Sequence, residues 1–358
     1  MAKKNDKAVN EFNQQMKPVS LWADAWKRLR KNKMALISLW VVGFYALIAI
    51  AAPILPFYDY RTQSMNHINL PPSLKPAGRL AIDQLEEQVK LLRSRVADGV
   101  DSLKPNLERA EADLAAMKAN VGNDPTDKKV YILGTDYLGR DMLAKTIYGA
   151  RISMMVGLIG TLTAVLVGVI IGAFSGYVGG WLDNLLMRFV DIMYGLPYML
   201  IVIILMAMFR KEGQSSIFIL FIGIALVSWL TIARVVRGQI ISLKNSEFVE
   251  AARSMGASTG RIIFRHLLPN ALGVIIIFTS LSLPSFIMNE SFLSFLGMGV
   301  SAPLSSWGSL VSEGANTMEL YPWQLLAPAI EMTIFLFCMN FVGDGLRDAL
   351  DPQSKNRT

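Results

Sequence analysis

Cysteine and histidine are almost missing from this 358-residue chain, which has one cysteine, Cys338, and two histidines, His67 and His266. A single cysteine excludes a disulfide within the chain. With so few histidines, no metal-ligand cluster and no Ser/His/Asp set can be assembled, so no catalytic residue, metal site or cofactor is expected. There is no Gly-Lys pair anywhere, and therefore no G-x-x-x-x-G-K loop to cradle a nucleotide's phosphates. Charge is scarce too. Charged residues make up 18% of the chain and hydrophobic ones 53%, against about 25% charged in soluble domains.

The charge that exists is kept out of long stretches. Met34 to Tyr58, Ile152 to Leu182, Ile192 to Phe209, Gln214 to Ala233 and Leu267 to Asn289 carry none, and Trp323 to Val342 is broken only by Glu331. Each is near or above the roughly 20 residues that carry a helix across a bilayer. Six in one chain predict an all-α integral membrane protein with six transmembrane helices. The first run, following a long polar segment, exceeds the 7–15 apolar residues usual in a cleaved signal and reads as a retained span.

The net charge of +7 is placed for a membrane and not for nucleic acid. Residues 1–33 hold nine Lys or Arg and Arg234 to Arg265 hold six, while Ser291 to Pro322 hold none. Cations in short loops favour the cytoplasmic side. Both termini and the 234–270 loop are thus expected inside, with the long 59–151 segment outside. His67 and His266 then fall on opposite faces. The expected order is a cytoplasmic segment 1–33, a first span 34–58, the external segment, a transmembrane core 152–343 and a tail 344–358.

Three local patterns stand out. Leu21, Ala25 and Leu29, with Trp22 and Trp26 among cations, fit either an interfacial helix or a basic flank that orients the first span. Outside, Ile82, Leu85, Val89, Leu92 and Val96 and then Leu103, Leu107, Ala110, Leu114 and Met117 recur at heptad spacing around Asp98-Gly99. That predicts an antiparallel helical hairpin at about 79–120, serving an external partner or merely elaborating the loop. Ala164, Gly168, Gly172, Gly176 and Gly180 lie four apart, a flat stripe for close helix packing.

The cytoplasmic loop reads RVVRGQIISLKNSEFVEAARSMGASTGRIIFRHLLPN. Ser246 suits a helix cap, Glu247 and Glu250 suit the first turn, and Gly256 ends the helix. A second helix is expected from Ser258 or Thr259 towards Pro269. Glu250-Ala251-Ala252, then Gly256, then Leu268-Pro269 resemble the EAA loop of binding-protein-dependent ABC importer permeases, with His266 where that pattern usually has isoleucine.

LGTDYLGRDML (133–143), YGARISMMVG (148–157), ESFLSFLGMGV (290–300), PLSSWGSLVSEGAN (303–316) and NFVGDGLRDALDP (340–352) resemble the peptide and nickel branch of that family, nearest to its oligopeptide members. The 79–120 hairpin is what the familiar members lack. The resemblance implies a type I importer permease architecture and a role in ATPase coupling for Glu250, Ala251, Ala252, Gly256, His266, Leu268 and Pro269. It also implies four kinds of partner: a second homologous permease, two cytoplasmic ATPase subunits, an external peptide-binding protein and the lipid bilayer. Oligopeptides are the expected cargo, with dipeptides or a nickel chelate as alternatives.

From the residues alone an ion-coupled transporter stays open, because intramembrane ionisable groups mark transport paths by default. Those groups are Asp191, Glu290 and Glu331. Asp191 and Glu290, near span ends, are expected to be solvated, and mid-span Glu331 either packs or lines the path.

Overall fold

The computed structural model describes residues 21–54, 58–209, 217–300 and 304–350. Residues 1–20, the loop cations Arg210 and Lys211, and the tail beyond Leu350 lie outside them. Among the described residues the regular structure is helical, apart from isolated bridges at Pro76–Val130 and Thr135–Asp141.

Helix α1 (Leu21–Lys31) buries Ala25 and Leu29 against Ala35 of α2 (Lys33–Ala51) and Ala349 of the last helix. Its apolar stripe is therefore taken up by protein. The Asn32 side chain caps α2 by accepting the Ala35 amide proton at 3.2 Å. The helix stops at Ala51, short of the expected Tyr58: Ala52 keeps helical dihedrals, but Pro53 has no N–H to extend the ladder and the Ile54 amide turns back to the Ala51 carbonyl at 2.8 Å.

The 59–151 segment forms the hairpin of α3 (Ala77–Ala97) and α4 (Lys104–Asn120). Glu86 pairs with Lys118 and Arg93 with Glu111, each at 2.6 Å. Seven residues forward on one helix match seven backward on the other, which makes the pair antiparallel. Gly99, at φ +93°, supplies the left-handed turn at the tip. At the root a polar staple joins the chain before the hairpin to the chain after it. Ser64 Oγ bonds His67 Nδ1 at 3.0 Å, and His67 Nε2 bonds Asp127 at 3.0 Å. Burial is the main influence on His67 and holds its pKa below the usual value, against the opposing pull of Asp127.

Helix α5 (Met142–Val178) is 37 residues long, about 55 Å at 1.5 Å per residue. It starts ten residues before the charge-free run and so projects beyond the membrane. Its small-residue face packs on α8 (Ile217–Leu243). A methyl group on Gly168 would meet Ile232 and the Trp229 carbonyl, one on Gly172 the Ala233 carbonyl and Val236, and one on Gly176 the Arg237 carbonyl at 2.8 Å. The stripe's partner is thus within this chain. Gly180 drops out of it: Gly179 and Gly180 take φ +68° and +62°, and the chain turns there into the next helix.

The third apolar run is a bent pair, α6 (Gly180–Gly195) and α7 (Tyr198–Phe209), meeting at 80° with Pro197 at the break. After α8 come the short α9 (Glu247–Ser254), the long α10 (Thr259–Phe295), the short α11 (Trp307–Ala315) and α12 (Trp323–Leu350). Among the described residues five helices are long and apolar enough to span, or six where the bent pair counts as one span. The expected separate helix after Ser258 is instead the first part of α10, which runs on through Pro269. Residues 262–267 form a π-helical turn, and the Leu268 amide donates to the Ile263 carbonyl. Pro269 has no N–H to offer the preceding turn, which widens there.

Candidate functional site

Helix α9 sits between α8 and α10 with two unlike faces. Val249 and Ala252 are fully buried in a cluster with Ile262, Ile263, Leu267 and Ala271 of α10. Glu247, Phe248, Glu250, Ala251, Ser254 and Met255 are exposed, Met255 at 79%. The two alanines, about 100° apart on the helix, therefore serve different faces. Ala252 packs inward, and Ala251 leaves a shallow spot between Glu250 and Met255.

Ser246 stands at the N-cap, but its hydroxyl donates to the Leu243 carbonyl at 2.7 Å and caps nothing. The first amides are left to Glu247 and Glu250, whose charge suits the helix dipole. At the other end Gly256 N–H donates to the Arg253 carbonyl and Ala257 N–H to the Ala252 carbonyl, both at 3.0 Å. This is the Schellman arrangement, and it needs the left-handed φ of +80° that Gly256 supplies. A methyl group there would meet nothing within 4 Å, so conformation alone demands the glycine.

His266 lies in the π turn and is half-buried. Its carbonyl accepts from Asn270 Nδ2 at 2.7 Å. Leu268 and Pro269 begin the regular part of α10, Leu268 half-buried against the α9 cluster and Pro269 exposed. The outer face of α5 joins the same surface, with the Arg253 guanidinium 6.0 Å from the Tyr177 ring and Phe264 edge-on to Phe174.

Glu290, at the far end of α10, is not solvated as its position near a span end had led us to expect. It is fully buried, accepting from Ser294 Oγ and Ser306 Oγ at 2.6 Å and from Ser153 Oγ at 3.3 Å. Ser153 Oγ in turn accepts the Trp307 amide proton at 3.1 Å. One carboxyl thus joins α5, α10 and the start of α11. Glu331 lies elsewhere, half-buried on α12 beside Tyr45 and Trp307. The buried Trp307 indole N–H finds no hydrogen-bond partner there. Asp191 is separate again, on α6, paired with Arg234 of α8.

Sequence reasoning missed an ion network at the start of α5. Lys145 is buried to 1% exposure between Asp136 at 2.7 Å and Glu313 of α11 at 2.9 Å, and Arg140 bonds Asp136 at 2.7 Å. Burial pushes the Asp136 carboxyl up, but Lys145 and Arg140 outweigh it and hold it below its ordinary value. The signal was present in LGTDYLGRDMLAK as Asp136, Arg140 and Lys145, four or five apart; Glu313, 168 residues on from Lys145, gave none. Sequence also failed to join Ser64, His67 and Asp127. Their connectivity is that of a hydrolytic relay, but all three are buried, no substrate can reach Ser64 Oγ, and the set works as the staple described above.

Residues 168–356 match the family described as binding-protein-dependent transport system inner membrane component, and residues 20–72 match the N-terminal TM domain of oligopeptide transport permease C. The chain belongs to this family. The permease is 41% identical over 357 residues to the oligopeptide transport system permease protein OppC of Escherichia coli K12, covering 99% of each chain. It is 37% identical to the protein of the same name in Bacillus subtilis, covering 94% of this chain and 91% of that one. It is 35% identical to the B. subtilis dipeptide transport system permease protein DppC, covering 94% and 87%. These relatives are permease subunits, and the apolar helices described here give this permease the spans of a membrane subunit of an ABC importer.

Proposed function

We propose that this permease forms, with a second homologous permease, the path by which oligopeptides enter the cell, and that α9 is the contact through which a cytoplasmic ATPase drives it. The observation that carries the coupling role is the division of α9, whose inner face is seated on α10 while its outer face holds an exposed Glu250, a small Ala251 and an exposed Met255. A helix so built transmits a push on its outer face directly to α10. That helix ends in the Glu290 node, where Ser306 and Trp307 begin α11. A displacement at the inner surface therefore has a continuous rod leading to the outer one. In this reading both termini are cytoplasmic, two ATPases serve the permease pair, and an external binding protein delivers the cargo to the side where the hairpin projects. Oligopeptide cargo is favoured by the likeness to OppC over almost the whole chain. Dipeptide cargo is the second reading, from the likeness to DppC.

Ala251→Trp tests the coupling role, since it fills the outer face and leaves the buried Val249–Ala252 seat alone. In proteoliposomes holding the assembled transporter, peptide-dependent ATP hydrolysis should fall at least tenfold, with the permease present in normal amount. Unchanged stimulation removes α9 from the coupling role, and uptake without any ATP returns the protein to the ion-coupled class.

A further inference from the structure

Helix α8 carries two exposed rows of different character. On its outer part Phe218, Ile222 and Leu226 are exposed and apolar, as suits lipid or another apolar helix. Inward of them, and on another side of the helix, the exposed positions are Thr231, Arg234 and Gly238, three and four apart and therefore on one face. Helix α6 carries a matching row, with Asn184, Arg188 and Asp191 exposed at spacings of four and three. The two rows meet. Arg234 Nη2 lies 2.5 Å from Asp191, the Arg234 guanidinium sits 4.0 Å from the centre of the Tyr194 ring, and Tyr194 Oη is 2.7 Å from Thr231 Oγ1.

This pair differs in kind from its neighbour. Arg237 and Asp183 form a two-pronged pair that is mostly buried, with Ser175 on the same carboxylate, and it locks α6 to α8. Arg234 and Asp191 remain 43% and 56% exposed. Counted from Phe218, Arg234 lies about 24 Å along α8, at 1.5 Å per residue, at the inner edge of a roughly 30 Å hydrocarbon layer, where the apolar run gives way to the cytoplasmic loop. Charges left open at that depth face water or a polar partner, not lipid.

We infer that the polar rows of α6 and α8 wall the inner part of a water-filled substrate path, and that the Asp191–Arg234 pair exchanges its mutual bond for the terminal ammonium and carboxylate of a passing peptide. The inference rests on the transport reading above and names the recognition element within it. An ion pair is a suitable reader for a zwitterion of any sequence, because each terminus finds its counter-charge and side chains need no dedicated pocket. Arg188, one turn away, leaves the wall with an excess positive charge that favours the carboxylate end.

The test uses the assembled transporter in inside-out vesicles, carrying Cys338→Ser and one new cysteine. A membrane-impermeant sulfonated methanethiosulfonate should label Thr231→Cys at least tenfold faster than Leu226→Cys. Trialanine with ATP and binding protein should slow that labelling at least threefold. In the same background Asp191→Asn with Arg234→Gln should remain labelled but lose the protection by trialanine. Labelling of Thr231→Cys no faster than Leu226→Cys overturns the path surface, and protection that survives loss of both charges overturns the reading of peptide termini. A transporter that takes up no trialanine while Thr231→Cys still labels rapidly overturns the peptide cargo instead, and leaves the water-filled wall standing.

Discussion

The two ends of this permease are built on opposite plans. At one end of the long helices polar groups are satisfied from within: Lys145 is enclosed by Asp136 and Glu313, Glu290 collects three hydroxyls, and His67 bridges Ser64 and Asp127. Towards the other end α9 is a two-turn helix whose outer face leaves Glu250, Ala251 and Met255 open to solvent, and Arg234 and Asp191 are exposed as well. A self-satisfied end holds its shape without help. An open end is shaped by what binds it, which is what the proposed coupling role asks of α9. The contrast also separates two uses of charge, since buried partners specify geometry while exposed ones stay free to exchange.

The contrast breaks most sharply at Lys145. Lys145→Met leaves the buried Asp136 carboxylate with Arg140 as its one remaining cation, and breaking a buried ion network costs up to about 3–5 kcal/mol. Far less protein should reach the membrane, measured by quantitative blotting of membranes, and Asp136→Asn in the same chain should recover part of it. Glu290 comes next. Glu290→Leu leaves the Ser153, Ser294 and Ser306 hydroxyls without their acceptor, at about 1–3 kcal/mol for buried unpaired groups. Glu290→Gln keeps an acceptor oxygen and should lie nearer the wild type in thermal unfolding of the detergent-solubilised protein.

At the α9 end the cost to stability is similar, and the proposed coupling role adds a loss of function. Gly256→Val forces a left-handed backbone on a branched residue at about 1–3 kcal/mol, and Gly256→Asn should be milder because Asn tolerates that region. Uptake measured in cells should rank glycine above asparagine above valine, at equal protein levels. An equal loss for both variants would mean that bulk, not backbone conformation, matters there.

The smallest effect sharpens the comparison through pH. The folded His67 has a pKa below its unfolded value of about 6.5. Its contribution is therefore full above that value and is lost as pH falls through 6.5 towards the folded pKa, because the unfolded chain then binds the extra proton. Proteolysis of the external segment should accelerate on acidification over that range, and His67→Asn should flatten the dependence.

Much of this was legible in the residues because it depends on local order. Six apolar runs, a heptad hairpin around Asp98-Gly99 and a glycine-stopped helix after Glu250 are patterns a single helix carries in its own sequence. The stripe at Gly168, Gly172 and Gly176 announced a close contact, since a missing side chain is visible wherever it occurs. Its partner was not visible, because a flat face accepts any helix that fits, and only folding set Ile232 and Val236 against it.

The same limit governed the sites. Glu290 looked solvated because distance along the chain from a span's end says nothing about what folds over it, and what folds over it is Ser306, supplied by the following loop. Ala251 and Ala252 are adjacent in sequence and opposite in role, because a turn of about 100° per residue separates contact from packing and the seat on α10 decides which is which. Sequence alone determined that the chain crosses a membrane, ends a short helix at Gly256 and lacks a phosphate loop of its own. Tertiary structure alone decided that Lys145 meets Glu313 and that Asp191 meets Arg234, because an ion pair is a property of two places in space and no spacing along the chain encodes it.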